Sequence, residues 1–165
     1  MSALRINETA LRIALGVVSL AGLGVAGYLT SVRLEGEAPT CIVGGGCKTV
    51  QESSYSELAG IPVAILGLAA YVGLLAAALI PGQLGRALGL FTALISFGFS
   101  AWLTYAELFI IDAICAWCVT SAILVTLALI LTILRAFGPW ATQAGSARPS
   151  AQDLPPPGQS PPATP

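Results

Sequence analysis

The sequence contains no histidine and few charged residues of either sign. Only 9% of its 165 residues are charged, whereas a soluble domain carries roughly a quarter. Without histidine there is no haem with a histidine axial ligand, no histidine-containing zinc site and no Cys-His or Ser-His catalytic pair. The basic residues are scattered singly, which argues against nucleic-acid binding. Chemistry is left to cysteines, carboxylates, hydroxyls or a bound cofactor.

What the chain does have is long apolar runs. Four uncharged stretches of at least twenty residues occupy positions 13–32, 58–85, 87–106 and 113–134. A helix of about 20 residues spans a bilayer core of about 30 Å. The pattern predicts an all-α integral membrane protein, a bundle of four transmembrane helices near residues 12–32, 60–80, 87–108 and 113–136. A soluble bundle would need polar helix faces, and the first run is too long for a cleaved signal peptide.

Basic residues near the predicted helix ends indicate the orientation. With a cytoplasmic N-terminus, five arginines face inward, and only Arg33 and Lys48 face outward, as the positive-inside rule requires. Both termini are then cytoplasmic, and loop 33–58 forms an extracytoplasmic cap. Residues 1–137 make up the membrane domain. The tail 138–165 holds eight of the eleven prolines and is predicted to be disordered.

The four cysteines form two pairs that this topology brings to the outer, oxidising face. Cys41 and Cys47 lie in the cap loop with three glycines between them, and Cys115-Ala-Trp-Cys118 opens the fourth helix. The loop pair suits either a static disulfide or a mobile carrier, with the glycines providing mobility. A disulfide across two residues closes almost no loop and adds little stability, so the second pair favours exchange chemistry. A helix N-terminus stabilises a thiolate. Asp112 is expected to be its N-cap, with a proton-transfer role as the alternative.

A metal site is the main rival for the four thiols. Four-cysteine zinc or iron–sulfur sites usually use two short-spaced pairs, whereas five residues separate Cys41 from Cys47. We therefore expect no metal. Tyr105 and Glu107, near the outer end of the third helix, are interpreted as boundary residues that meet water, with proton relay as the alternative. Trp117 is expected to be an interfacial anchor or a pocket wall.

The cysteine pattern resembles the vitamin K epoxide reductase family, in particular its bacterial quinone-linked members. The matching residues are the loop pair, Ser53 six residues after Cys47, the segment Gly60-Ile-Pro-Val-Ala-Ile-Leu-Gly67, and Cys115-Ala-Trp-Cys118. Two departures stand out. We expect no fused thioredoxin-like domain, since only the predicted tail follows the fourth helix, and Ala122 stands where the vertebrate enzymes carry tyrosine. The second departure argues against vitamin K epoxide as substrate.

The resemblance implies a four-helix bundle around a quinone (menaquinone or ubiquinone) in a bacterial cytoplasmic membrane. Cys118 would face the quinone, Cys115 would exchange with Cys47, and Cys41 would exchange with a thioredoxin-fold, DsbA-like partner supplied in trans. Ser53 would lie near the quinone, although it could simply cap a short loop helix running to Leu58. Other residues assigned to the quinone pocket by position are Leu66, Ile111 and Ala122.

The implied function is a thiol oxidase that reduces a membrane quinone and supports disulfide formation. One alternative on the same fold is a quinone or vitamin K epoxide reductase that uses electrons from thiols for quinone recycling. An alternative of another class is a non-enzymatic tetraspan scaffold with structural disulfides, which would have no use for Cys115 and Cys118. A transporter is disfavoured because no ionisable residue lies inside a predicted span.

Overall fold

The computed structural model describes residues 8–37, 39–41 and 45–138. Four long helices dominate it, with a short helix, a 3-10 turn and a two-stranded hairpin between the first two and a π-turn between the last two. The helices are α1 (Glu8–Leu34), α2 (Cys47–Glu52), α3 (Val63–Leu79), α4 (Gly82–Ala106) and α5 (Ala116–Phe137); the other elements are the 3-10 turn Ser54–Ser56, the strands β1 (Glu57–Leu58) and β2 (Ile61–Pro62), and the π-turn Glu107–Ile111.

The four long helices form one bundle in which each packs against two others. Helix α1 packs on α3 and α5, and α4 packs on the same two helices. The ring of Tyr71 lies directly against Gly22, where any larger side chain would overlap it, and the Tyr71 hydroxyl lies 2.9 Å from that of Ser121. This contact ties α1, α3 and α5 together. The core around it comprises Leu15, Ala26, Leu74, Ala78, Ala93, Val125 and Ala128.

The outer surface of the bundle is apolar along its length. Leu20 of α1, Phe91 of α4 and Ile123 of α5 are all more than half exposed, an arrangement that suits lipid better than water. Within the described part of the chain, three helices are long and apolar enough to cross a membrane: α1, α4 continued by its π-turn to Ile111, and α5. The prediction of an all-α membrane protein is confirmed at that level. The fourth crossing, by the 17-residue apolar helix α3, stays a prediction.

All four predicted helix starts differ from the observed ones. The first and third helices begin earlier than predicted, at Glu8 rather than near 12 and at Gly82 rather than near 87, and the second and fourth begin later. The second helix was predicted from about residue 60 but begins at Val63, because β1 and β2 pair as a hairpin just before it. Ala59 and Gly60 make the two-residue turn with φ of 52° and 81°, the left-handed values of a tight hairpin. The fourth helix begins at Ala116. The tail prediction concerns residues 138–165, which beyond Gly138 lie outside the described residues.

An arginine cluster closes the end of the bundle where α1 and α4 begin. Glu8 lies 2.7 Å from Arg86 and 3.7 Å from Arg135. Arg135 and Arg12 donate hydrogen bonds to the last carbonyls of α3, which an isolated helix end leaves unsatisfied. The expectation that no ionisable residue lies inside a span is therefore wrong. These side chains are accommodated because each bonds a neighbouring helix at its terminus.

Candidate functional site

The two cysteine pairs meet at the opposite end of the bundle, which we call the cysteine end. Cys41 and Cys47 form a disulfide, whereas Cys115 and Cys118 are free thiols. Cys47 and Cys115 are both fully buried, and they pack in one apolar cluster with Val50, against which Cys41 and Cys118 also lie. Two pairs far apart in sequence thus share one packed site, the requirement for exchange between them.

The close approach of the cap to α5 depends on Gly46. A side chain on Gly46 would lie 2.6 Å from the carbonyl oxygen of Ile114, next to Cys115. Helix α2 begins at Cys47, whose backbone N–H lies 3.0 Å from the sulfur of Cys41. Gly45 has a φ of 66°, in the left-handed region that favours glycine. The glycines were predicted to provide mobility. In the structure Gly46 allows close packing against Ile114, and Gly45 forms a turn.

The N-terminus of α5 is held by Glu107 rather than by Asp112. Cys115 occupies the N-cap position without a side-chain cap, and its backbone N–H donates to Glu107 Oε2 at 3.1 Å. Asp112 is exposed, adopts a left-handed conformation with φ of 53°, and ends the π-turn. The N-cap prediction for Asp112 is therefore wrong. The π-turn brings the Glu107 carboxylate back toward the thiols that follow it in sequence.

The environment of Cys115 favours its thiolate. A hydrogen bond from the Cys118 thiol lowers the pKa of Cys115 to about 7, and the backbone N–H groups of Cys118 and Trp117 act in the same direction. Burial and the nearby Glu107 carboxylate oppose this effect. Such free amides at a helix N-terminus are a known means of activating a cysteine. The thiolate of Cys115 is therefore stabilised relative to that of an ordinary cysteine.

Trp117 links the cap to the bundle. Its indole N–H donates to the carbonyl of Thr40 at 3.1 Å, and its ring lies 4.8 Å from that of Tyr28. The Tyr28 hydroxyl in turn accepts a hydrogen bond from the Thr40 N–H. Trp117 does not line the main cavity. Trp117 therefore holds Thr40, the residue before Cys41. This role differs from the expected roles of interfacial anchor or pocket wall.

A cavity of about 410 Å³ opens beside the free thiols, between the four long helices and the cap. Its wall is mainly apolar and includes two of the residues that position alone suggested, Leu66 and Ile111. Cys118, Ser53 and Glu107 are among its polar groups. The Ser53 hydroxyl donates to the carbonyl of Val50 at 2.7 Å. Ser53 follows α2 and precedes the 3-10 turn, so it does not cap a helix running to Leu58.

Ala122 does not line this cavity. It lies with Thr104 and Thr126 in a smaller groove on another side of α5, and Ser121 is the residue that lines the main cavity. The assignment of Ala122 to the quinone pocket stays a prediction, and this cavity does not support it because residue 122 lies outside its wall. The argument against vitamin K epoxide from the missing tyrosine gains no support from the cavity either.

Glu107 is buried, contrary to the expectation that it is a boundary residue that meets water. Only 5% of its surface is exposed, and it lines the cavity. The available signal was a lone carboxylate at the end of an apolar run, eight residues before Cys115. Tyr105, its expected companion, is exposed and packs on Phe109 with ring centroids 4.8 Å apart.

Comparison with protein families places these residues in a known group. The family model described as the vitamin K epoxide reductase family matches residues 13–133. The matched stretch contains both cysteine pairs, the cap and nearly all of the four long helices. It covers well over half of the sequence. The chain belongs to the vitamin K epoxide reductase family.

Proposed function

We propose that this chain is a membrane thiol:quinone oxidoreductase that reoxidises a thioredoxin-fold, DsbA-like partner and thereby supports disulfide formation. One observation carries the proposal. The Cys41–Cys47 disulfide packs against Cys115, and the partner thiol of Cys115, on Cys118, lines a deep apolar cavity. The site therefore connects a disulfide that is partly exposed at Cys41 with a cavity that can hold a ligand. The family is one of oxidoreductases, which agrees with this assignment.

The outer exchange takes place at Cys41. Cys41 is partly exposed, whereas Cys47 is fully buried, so a protein thiolate reaches Cys41 first. Exchange proceeds by thiolate attack through a mixed disulfide. The incoming thiolate bonds to the Cys41 sulfur and releases the Cys47 thiolate, and the second partner thiol then releases Cys41. The partner leaves oxidised, and the cap pair is reduced.

The inner exchange joins Cys47 to Cys115. The reduced Cys47 thiolate attacks Cys115 in its disulfide with Cys118, and Cys118 is released with the electron pair. Cys41 then attacks Cys47, which restores the cap disulfide and leaves Cys115 as a thiolate. The hydrogen bonds that stabilise the Cys115 thiolate also make this sulfur a good leaving group. The structure has the cap pair oxidised and the inner pair reduced, the arrangement in which the inner pair is ready to be oxidised.

The cavity residues fit a quinone. An apolar wall that includes Leu66 and Ile111 suits a fused or substituted ring, while Ser53 and Tyr71 place hydroxyl groups on the same wall. Quinone, when bound, would accept two electrons from the inner pair, one proton from the Cys118 thiol and one proton from water. Cys118 supplies the sulfur that faces this space. The cap contributes Val50 and Tyr55 to the cavity wall.

The membrane arrangement we propose has both termini in the cytoplasm and the cysteine end outside a bacterial cytoplasmic membrane. Helix α3 is about 26 Å long at 1.5 Å per residue and packs between α1 and α4, so it crosses with them. Arg12, Arg86 and Arg135 lie together at the opposite end of the bundle, as the positive-inside rule favours. Residues 1–137 form the membrane domain, and 138–165 a cytoplasmic tail.

Two serine variants test the proposal in native membranes, with oxidation of a reduced thioredoxin-fold protein as the assay. Cys41→Ser and Cys118→Ser each abolish turnover. Cys41→Ser retains quinone reduction by a small dithiol, whereas Cys118→Ser loses it, because only Cys118 faces the cavity. Ser54→Ala, on an exposed cap residue, serves as the control. Full quinone reduction by Cys118→Ser would refute the assignment.

A further inference from the structure

Glu107 is a carboxylate held inside the protein wall. It follows α4 directly, at the first position of the π-turn, and 95% of its surface is buried. Among the described residues no arginine or lysine lies within salt-bridge distance of it. A buried ionisable side chain within a membrane-spanning segment is costly, and such residues usually mark ion or proton paths. A buried carboxylate at this position therefore indicates that Glu107 has a role beyond packing.

The Glu107 carboxylate contacts the start of α5. Oε2 accepts the Cys115 backbone N–H, and Cys118 follows in the first turn of the same helix. The same carboxylate lines the cavity, as Cys118 does. Glu107 thus lines the same cavity as Cys118 and is bonded to the other cysteine of the inner pair. Tyr55 and Tyr71 are the other titratable groups on the cavity wall.

We propose that Glu107 is a catalytic proton-transfer residue that accepts the proton of the Cys118 thiol and delivers it to the ligand in the cavity. This inference rests on the proposed thiol:quinone activity and deepens it. Oxidation of the Cys115 thiolate and the Cys118 thiol forms one S–S bond and releases two electrons and one proton. Reduction of a quinone to hydroquinone takes up these two electrons and two protons, the second of which comes from water. Glu107 carries the proton that leaves Cys118, and the carboxylate is regenerated in each cycle.

A purely structural role for Glu107 would not require an acidic side chain. Accepting one backbone N–H requires only a neutral oxygen, which a glutamine or asparagine supplies. The carboxylate instead lines the cavity together with Cys118, and the π-turn that begins at Glu107 brings it back to Cys115. Such turns occur frequently at functional sites. The acidic group is therefore the feature to be tested, separately from the hydrogen-bond acceptor.

The test uses the full chain with Glu107→Gln, which keeps the acceptor for Cys115 but cannot carry a proton, and Glu107→Asp as the conservative variant. Tyr105→Phe is the matched control, because Tyr105 is exposed and outside the cavity wall. We expect Glu107→Gln to lower quinone reduction by about 10²-fold, the lower range for general acid–base catalysis. The residual rate should rise in proportion to hydroxide concentration, while Glu107→Asp recovers part of the activity.

A second readout does not depend on quinone turnover. In quinone-free purified protein with a reduced inner pair, a small apolar maleimide should label Cys118 more slowly in Glu107→Gln than in the wild type near neutral pH. Peptide mass spectrometry quantifies the labelling. Exchange between the cap and inner pairs should stay close to wild type, because the amide oxygen of the introduced glutamine still accepts the Cys115 backbone N–H.

Three outcomes overturn the inference: a Glu107→Gln variant with wild-type quinone reduction, unchanged Cys118 labelling, or loss of thiol exchange together with quinone reduction. The last would show that the carboxylate only positions α5. Cys118→Ser, measured in parallel, separates these results from failure of the proposed function. If Cys118→Ser is inactive and Glu107→Gln is normal, only the proton-transfer assignment fails.

Discussion

The backbone of Gly46 lies directly against the backbone of Ile114, and this contact brings Cys47 beside Cys115. Ile114 cannot move away easily, because Cys115 after it is bonded to Glu107 and begins α5. The cap and the helix that carries the inner thiols therefore meet backbone to backbone. The approach allows two buried sulfurs on distant segments to exchange partners.

Replacing Gly46 with alanine should separate the two cysteine pairs. The new methyl group would lie 2.6 Å from the Ile114 carbonyl oxygen, so the docked cap should lose about 1–3 kcal/mol, as in overpacked cores. We expect thiol exchange between the pairs to slow by about tenfold or more. Quench-flow with acid trapping and mass spectrometry measures this step.

The control for this variant is Gly24→Ala, which places a methyl group on α1 where nothing lies within 4 Å. It should leave the exchange rate unchanged. A Gly46→Ala protein that exchanges at the wild-type rate would show that docking of the cap does not depend on this contact.

Cys115 should hold the thiolate of the inner pair near neutral pH. Because its pKa is lowered from 9.0 to about 7, the thiolate absorbance of the reduced pair should appear as pH rises through about 7 and be lost below it. A background with Cys41 and Cys47 replaced by alanine removes the other thiols. Ultraviolet titration follows the thiolate.

Two variants show which cysteine carries the thiolate in that titration. Cys115→Ser should abolish the transition near 7, and Cys118→Ala should move it toward higher pH, since the Cys118 thiol is the largest cause of the lowered pKa. A transition near 7 that survives in Cys115→Ser would place the thiolate on Cys118 instead.

Filling the cavity should block the quinone step alone. Leu66 lines the cavity, and Leu66→Trp should occupy part of its 410 Å³. We expect KM for quinone to rise by about tenfold or more, an expectation based on lost ligand contacts, while exchange between the cysteine pairs continues. Steady-state reduction with a soluble quinone analogue measures it.

Val72→Trp is the matched control, because Val72 lies on the same helix but is exposed on its outer face. It should leave KM unchanged. Equal effects of the two substitutions would mean that the cavity beside Cys118 is not where the quinone binds.

The sequence predicted the helices well because charge marks where apolar runs end. Its errors were local and have physical causes. The π-turn after Glu107 redirects the chain, so the carboxylate reaches back to Cys115, and Asp112 is left exposed. Neighbouring helix positions differ by about 100° around the axis, which is enough to put Ser121 in the cavity wall and Ala122 outside it.

The cap was the least predictable part of the site. Its cysteine and glycine spacing indicated a small closed loop, but not the contact between Gly46 and Ile114. The hydrogen bond from Trp117 to Thr40 joins segments that are 77 residues apart. Tertiary contacts of this kind leave no periodic pattern in the sequence.

Direct exchange between Cys47 and Cys115 is most directly tested in a protein in which both Cys41 and Cys118 are replaced by serine. Mild oxidation in native membranes followed by peptide mass spectrometry should recover Cys47 and Cys115 joined by a disulfide in most of the folded protein. If the two thiols stay unjoined while the protein remains folded, the cap does not pass electrons to the inner pair through these residues, and the relay described above is wrong.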